Sequence, residues 1–330
     1  MPESLLNQEH IPYPRVSIAM ATYNGERFVR EQIDSILAQS VQDFELVICD
    51  DASTDATWKI LTEYAKKDSR IQIYRNEQNL GLKKNFERAI RLCKADFVAL
   101  SDQDDVWYPN HLHVLLSNIG NHVLCAGDAD MVDENNVATG ERLSYADGFH
   151  VIPPPKKILW SVMFINNPLQ GASTLLRKDF LERILPIPSW ISTHDKFFTA
   201  CACCCGTGPV YVPESITRYR QHGDNLTASF HQKQGRKRVS LKRYIEFLTG
   251  RFKPKTDRTL LCKKLLSLFG SNSEVETILW INQELQNRHI SAKLIRTLWN
   301  NYEFIVTKPG HRDFFKYFLI WLFTKQKGEP

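Results

Sequence analysis

A chain of 330 residues with 43% hydrophobic and 24% charged residues has material for one large α/β domain and an appendage, and this composition excludes a disordered protein. A formal charge of +5 is slight for this length and gives no ground for expecting nucleic acid as a partner. Eight cysteines, four of them within residues 201–205, where adjacent side chains on a helix point in different directions, and none paired with histidine in zinc-type spacing, read as small buried hydrophobes in a reduced compartment rather than a disulfide framework. Residues 1–15 lack a basic-then-apolar leader pattern, and no run of about 18 apolar residues occurs, so the expected location is cytoplasmic.

Taken in chain order, residues 15–21 form a short apolar strand that stops at Thr22-Tyr23-Asn24-Gly25, and a helix over 27–39 follows with Phe28, Ile33, Ile36 and Leu37 at helical spacing. A second strand over 44–49 ends in Asp50-Asp51-Ala52-Ser53-Thr54-Asp55, with Ser53 or Thr54 as cap of a helix through Trp58, Ile60, Leu61 and Tyr64. A third strand, 71–74, leads through Asn79-Leu80-Gly81 to a helix carrying Phe86, Ala89, Ile90 and Leu92. A fourth, Phe97-Val98-Ala99-Leu100, delivers Ser101-Asp102-Gln103-Asp104-Asp105-Val106-Trp107. Alternating β and α units imply a doubly wound, mainly parallel sheet, whose ligands gather at the carboxyl ends of the strands.

Three carboxylates within four positions repel one another, so at least one pKa should rise unless a cation joins them, and hard oxygen ligands suit Mg²⁺ or Mn²⁺. A solvated acidic turn that caps the next helix is the competing reading. Tyr23 is placed to flank a base, Asp50 and Asp51 to accept hydrogen bonds from a base imide or ribose, and Lys83 or Lys84 to meet phosphate. Singly, these residues are equally a surface aromatic, helix-start acids and solvated lysines. Their shared position at the ends of successive strands favours one nucleotide-diphosphate site.

The residues just quoted resemble the family 2 glycosyltransferases of GT-A fold, and the likeness runs from about residue 14 to 228. The spelling S-D-Q-D-D-V-W is most similar to the bacterial polysaccharide enzymes labelled rhamnosyltransferases. The resemblance implies a dTDP- or UDP-sugar donor on Thr22, Tyr23, Asn24, Asp50, Asp51, Lys84, Asn85, Asp102, Gln103 and Arg220. It implies a divalent cation on Asp102 and Asp104, with His222 as a further ligand, and acceptor contacts from Trp107, Gly171 and His194.

Further along, residues 123–132 read as another strand, while 140–157, with Pro153-Pro154-Pro155, lose apolar periodicity and read as a long loop. Gly171, in Asn167-Pro168-Leu169-Gln170-Gly171, resembles the family's acceptor-side glycine; a strand bulge is the alternative. Ser192-Thr193-His194-Asp195 opens a helix, and the resemblance makes Asp195 the base that deprotonates the acceptor hydroxyl, with His194 orienting it; an N-cap aspartate is the alternative. After a strand at 210–212, Arg218-Tyr219-Arg220-Gln221-His222 replaces the Q-x-x-R-W of processive members.

The domain proper is read as 1–230, and 231–330 as a basic helical extension with stripes at Leu261, Leu265 and Leu268, at Ile278, Ile281 and Leu285, and at Leu294, Ile295, Leu298 and Tyr302. Residues 314–323 are aromatic and flanked by Arg312, Lys316, Lys325 and Lys327, which suits peripheral contact with an anionic membrane or packing against a partner. The expected activity is inverting, metal-dependent sugar transfer to a glycan or polyprenyl-linked acceptor in cell-surface polysaccharide (O-antigen or capsule) assembly. A metal-dependent nucleotidyltransferase and a catalytically silent nucleotide-sugar-binding module are the alternatives; the first lacks its phosphate loop, since Thr22-Tyr23-Asn24-Gly25 occupies that place.

Overall fold

The computed structural model describes residues 15–146, 155–164, 167–223, 256–286 and 291–300. Its first half is a run of strand–helix units: β1 (Val16–Thr22), α1 (Val29–Leu37), β2 (Phe44–Asp50), α2 (Thr57–Ala65), β3 (Ile71–Arg75), α3 (Leu82–Leu92) and β4 (Phe97–Ser101). The second half is more mixed: β5 (Val106–Trp107), α4 (His111–Asn118), β6 (Leu124–Val132), β7 (Ala138–Arg142), α5 (Leu143–Ala146), α6 (Pro155–Phe164), β8 (Thr174–Arg177), α7 (Lys178–Ile184), α8 (His194–Cys203) and β9 (Val210–Arg220). Three helices follow: α9 (Thr256–Phe269), α10 (Ser273–Gln286) and α11 (Ala292–Asn300).

One sheet runs β3-β2-β1-β4-β8-β6-β9-β5, with β7 on β6. β1 pairs in parallel with both β2 and β4, and β2 with β3, so three strands end side by side at the same edge. β8 enters antiparallel between β4 and β6 and makes the other half mixed. β1 and β2 are buried along their whole length, as strands covered on both faces are, and their buried Ser17 and Glu45 satisfy each other at 2.5 Å. On one face Ile18, Met20, Leu46 and Ile48 pack under α1, α2 and α4. On the other, the alternate residues Ala19, Ala21, Val47 and Cys49 meet α3, α6, α7 and α8.

The described helices α9 to α11 share that second core, with Leu261, Leu265, Ile278, Ile281, Leu294 and Leu298 all buried. Trp160 Nε1 donates to Glu274 at 2.9 Å, and Arg258 Nε to the Met163 carbonyl at 2.7 Å, so the extension is fastened to α6. The domain boundary at 230, the side chains of Leu285 and Ile295, Tyr302 and the aromatic segment 314–323 lie outside the described residues. Among the described residues no helix is long and apolar enough to cross a membrane. The cysteines are free; Cys49, Cys93, Cys125, Cys201 and Cys262 are buried hydrophobes as expected, whereas Cys203, Cys204 and Cys205 are half-buried.

Several boundaries differ from the sequence reading. α1 begins at Val29 because the Gly25 carbonyl accepts from both Phe28 and Val29 in a turn. Neither Ser53 nor Thr54 caps α2, which starts at Thr57; both turn toward the first loop instead. β9 does not stop at 212. Between the Gly127–Val212 and Asp128–Ser215 pairs the register shifts, leaving Pro213 and Glu214 in a bulge where a missing N–H costs no ladder bond. Residues 140–157 are not one loop: they contain the end of β7, α5 and the start of α6, with Pro155 at the first helical position, which needs no N–H. Gly171 opens a 3₁₀ turn, Gly171–Ser173, rather than a strand bulge.

Candidate active site

The three parallel tips are knotted together by side chains. Asn24, in left-handed backbone (φ 48°), accepts from Thr54 N at 2.9 Å through Oδ1, while its own N–H donates to Ser53 Oγ at 2.9 Å. Gln103 reaches back to the first tip: Tyr23 N donates to its Oε1 at 2.8 Å, and its Nε2 donates to the Tyr23 carbonyl at 3.0 Å. The amide lies so close over Gly25 that a Cβ there would come within 2.2 Å of Gln103 Oε1. Tyr23 projects outward, 46% exposed.

Asp50 and Asp51 are turned inward rather than toward a ligand. Asp50 accepts from Thr22 Oγ1 (3.2 Å), Ser53 N (3.1 Å) and Ser53 Oγ, with Arg75 Nε at 3.5 Å. Asp51 Oδ1 accepts from Asn76 Nδ2 (2.6 Å) and Leu80 N (2.8 Å), and its Oδ2 from Gly81 N (2.8 Å). Asn85 is buried behind them, donating to the Cys49 carbonyl at 2.7 Å. These three residues, and Thr22 with them, build the tips from beneath. Lys84 is exposed, whereas Lys83 Nζ is committed to the carbonyls of Ser189 (2.6 Å) and Ile191 (2.5 Å).

The acidic tip behaves oppositely. Asp102 retains some exposure, yet its low-dielectric setting, then the charges of Asp104 and Asp195, push its carboxyl up to about 8. Burial, then the charges of Asp104 and Asp102, raise Asp105, whose Oδ1 accepts from Arg220 N at 3.0 Å while Oδ2 is buried with no partner. Asp195 therefore lies within electrostatic reach of Asp102. It stands in the first turn of α8, after Thr193 as the N-cap residue, so it is not itself the cap. Its Oδ1 accepts from Lys196 N at 2.7 Å.

Behind Asp195, His194 is 4% exposed and stacked on Phe86 with ring centroids 4.1 Å apart, and neither ring nitrogen has a hydrogen-bond partner. Burial lowers its pKa and keeps the imidazole neutral. A Cβ at Gly171 would meet His194 Nε2 at 3.2 Å and Asp195 Cβ at 3.5 Å, so the glycine lets the turn close onto this pair.

The family model described as glycosyl transferase family 2 matches residues 17–185, more than half of the chain, and covers all three tips. The chain belongs to that family. The Bacillus subtilis (strain 168) glycosyltransferase EpsE is 38% identical over 110 residues, 33% of this chain and 40% of its own. The Escherichia coli glucosyltransferase WfgD, named for UDP-Glc and α-D-GlcNAc-diphosphoundecaprenol, is 32% identical over 124 residues, 37% of this chain and 48% of its own. The chain thus spans less than half the length of these two curated relatives. Residues 1–349 of Staphylococcus aureus TarS, solved in complex with UDP-GlcNAc, share the fold with a TM-score of 0.56 at 17% identity, covering 91% of this chain and 83% of that one.

Within this family 2 domain, two residues sit elsewhere than the sequence reading puts them. Arg220 is 1% exposed, and its guanidinium donates to the carbonyls of Asp104 (2.7 Å) and Glu134 (2.9 Å) and pairs with Glu31, above the Phe28 ring. It holds the acidic loop by its backbone instead of facing a diphosphate, because β9 extends to residue 220 and carries it under that loop. Trp107 is 3% exposed, stacked on His111 at 3.8 Å in the α1–α4 core, and offers no face to an acceptor. His222 stacks on Phe28 at 4.6 Å and its Nε2 lies 2.9 Å from Asp104 Oδ2, so it touches a proposed metal ligand.

The donor set fits a divalent cation: of three crowded carboxyl groups, one has an unpartnered buried oxygen and two have raised pKa values, so their full ionisation calls for a cation to compensate it. Among the described residues, however, no three His, Cys, Asp or Glu side chains form a ready cage, so donor oxygens would have to complete any coordination shell. The sequence reading puts Phe28 and Phe86 on apolar helix stripes and assigns neither to the site, and it does not single out Glu31. Gly25 was the available signal, being a glycine where Gln103 must lie flat.

Proposed function

We propose that this domain catalyses inverting, metal-dependent transfer of a sugar, with rhamnose as one candidate, from a dTDP- or UDP-linked donor to a glycan or polyprenyl-linked acceptor of cell-surface polysaccharide. The observation that supports the reading is that the charge of Asp195 is felt at Asp102, at the edge where the tips of β1, β2 and β4 meet. The lipid-linked acceptor named for WfgD supports the acceptor class. Residues 312–330 would add peripheral contact with an anionic membrane.

In this reading Asp102 and Asp104, with His222 beside them, hold Mg²⁺ or Mn²⁺, which supplies charge neutralisation at the diphosphate. Tyr23, Asn24 and Gln103 form the rim on which the nucleotide rests. The acceptor hydroxyl attacks the anomeric carbon as the bond to the diphosphate breaks; its proton passes to Asp195, and the electron pair leaves with the nucleoside diphosphate. Neutral His194, held between Phe86 and Gly171, fixes the backbone next to Asp195 and lines the acceptor side. The test is incubation of nucleotide sugars with metal and lipid-linked glycan. Release of nucleoside diphosphate with acceptor extension supports transfer, pyrophosphate would indicate nucleotidyl transfer, and no product would indicate a binding module.

A further inference from the structure

The helix α3 touches both halves of the proposed site, through different faces. At its N-terminal end, Leu80 N and Gly81 N donate to Asp51 (both 2.8 Å), and Asn85 Nδ2 reaches the carbonyls of Cys49 (2.7 Å) and Thr22 (3.4 Å), near the ends of β2 and β1. One residue on, Phe86 stacks against His194. On its outer face, Lys83 and Glu87, one turn apart, grip the chain that leads into α8. Lys83 Nζ donates to the carbonyls of Ser189 (2.6 Å) and Ile191 (2.5 Å), and Glu87 Oε2 accepts from Ile187 N (2.9 Å).

We infer that Lys83 is a positioning residue for sugar transfer: through α3 it fixes residues 187–191, and hence the start of α8 with Asp195, relative to the donor tips. The inference rests on the reading of Asp195 as the base. A helix-surface lysine ordinarily keeps its ammonium in water. Here two of its three donors are spent on carbonyls more than a hundred residues away, in charge-assisted bonds that a neutral side chain of equal length would not make. The segment is also short. From Ile191, whose side chain is 1% exposed, only Ser192 and Thr193 intervene before the helix that carries Asp195, so a slip of the strap moves the carboxylate directly. Transfer rates are sensitive to misplacement on the ångström scale, whereas donor affinity, set on the far side of α3, is not.

The experiment compares Lys83→Met, which keeps the stem, and Lys83→Arg, which keeps the charge, with the unaltered protein. Lys83→Met is expected to lower kcat at least tenfold with nucleoside-diphosphate affinity, measured with Mn²⁺, within twofold. Lys83→Arg should recover most of the loss, and adding Lys83→Met to Asp195→Asn should change turnover no further. Amide hydrogen exchange, read in the same samples, should accelerate across 187–196 and stay unchanged in β1, β2 and β4. Turnover within twofold of the unaltered protein, or a tenfold loss of nucleotide affinity at constant kcat, as a phosphate-binding lysine would give, overturns the inference. Should the unaltered protein release no nucleoside diphosphate, the proposed reaction fails, and the exchange pattern by itself decides whether the strap exists: no acceleration across 187–196 removes it.

Discussion

Two groups of aspartates end the parallel strands on either side of β1, and they are built for opposite purposes. Asp50 and Asp51, after β2, are surrounded by donors from Thr22, Ser53, Asn76, Leu80 and Gly81, so their charge is consumed in shaping loops. Asp102, Asp104 and Asp105, after β4, have few donors and one another for neighbours, and two of them carry raised pKa values. A satisfied carboxylate holds structure; a crowded, under-satisfied one is poised for a cation or a proton. Asp195 belongs with the second group, because its charge is felt at Asp102.

The sharpest way to break this division is Asp195→Asn. If Asp195 is the base, transfer falls about 10²- to 10⁴-fold while donor binding stays within twofold, measured by nucleoside-diphosphate release and by titration. Near-normal turnover would remove it from the chemistry. Asp104→Asn should come next, weakening metal-dependent donor binding at least tenfold without lowering the melting temperature, since relief of carboxylate crowding offsets the loss of the His222 contact. Asp51→Asn should do the reverse. It replaces a carboxylate oxygen that accepts from Asn76, Leu80 or Gly81 by an NH₂ that cannot accept, costing about 1–3 kcal/mol of stability by thermal or urea unfolding, with kcat reduced less than in either other variant.

The sequence made the strand ends legible because each strand is a short apolar run and each tip carries polar residues that a buried strand would not tolerate. Asp102 and Asp104 could be placed at that edge for that reason, whereas Asp195, in the first turn of α8, is assigned by the family resemblance alone. Arg220 and Trp107 could not. Pro213 reads as the end of a strand, but the bulge opposite Gly127 and Asp128 lets β9 continue, and only that continuation pairs Val106 with Arg218 and carries Arg220 beneath the acidic loop. The two-residue β5 is too short to leave a periodic pattern, so nothing local says that Trp107 faces the core. Likewise, Asp50 and Asp51 look like ligand-binding acids in sequence, because their donors come from backbone and side chains as far as 30 residues away.

The smallest expected effect is also the most direct reading of the crowding. A carboxylic acid whose pKa is raised in the folded state stabilises the fold below its unfolded value, about 3.9, and that contribution is lost as pH rises through the folded value, here about 8 for Asp102. The metal-free protein should therefore lose several degrees of melting temperature between about pH 5 and pH 8 from this site. Asp102→Asn should flatten that slope, whereas Asp51→Asn should leave it intact. Adding Mn²⁺ should restore more stability at pH 8 than at pH 5, since the cation competes with protons for the same oxygens. A metal-free melting curve that is insensitive to Asp102→Asn across this range would mean that the aspartates after β4 are no more strained than those after β2, and the contrast between the two tips would collapse.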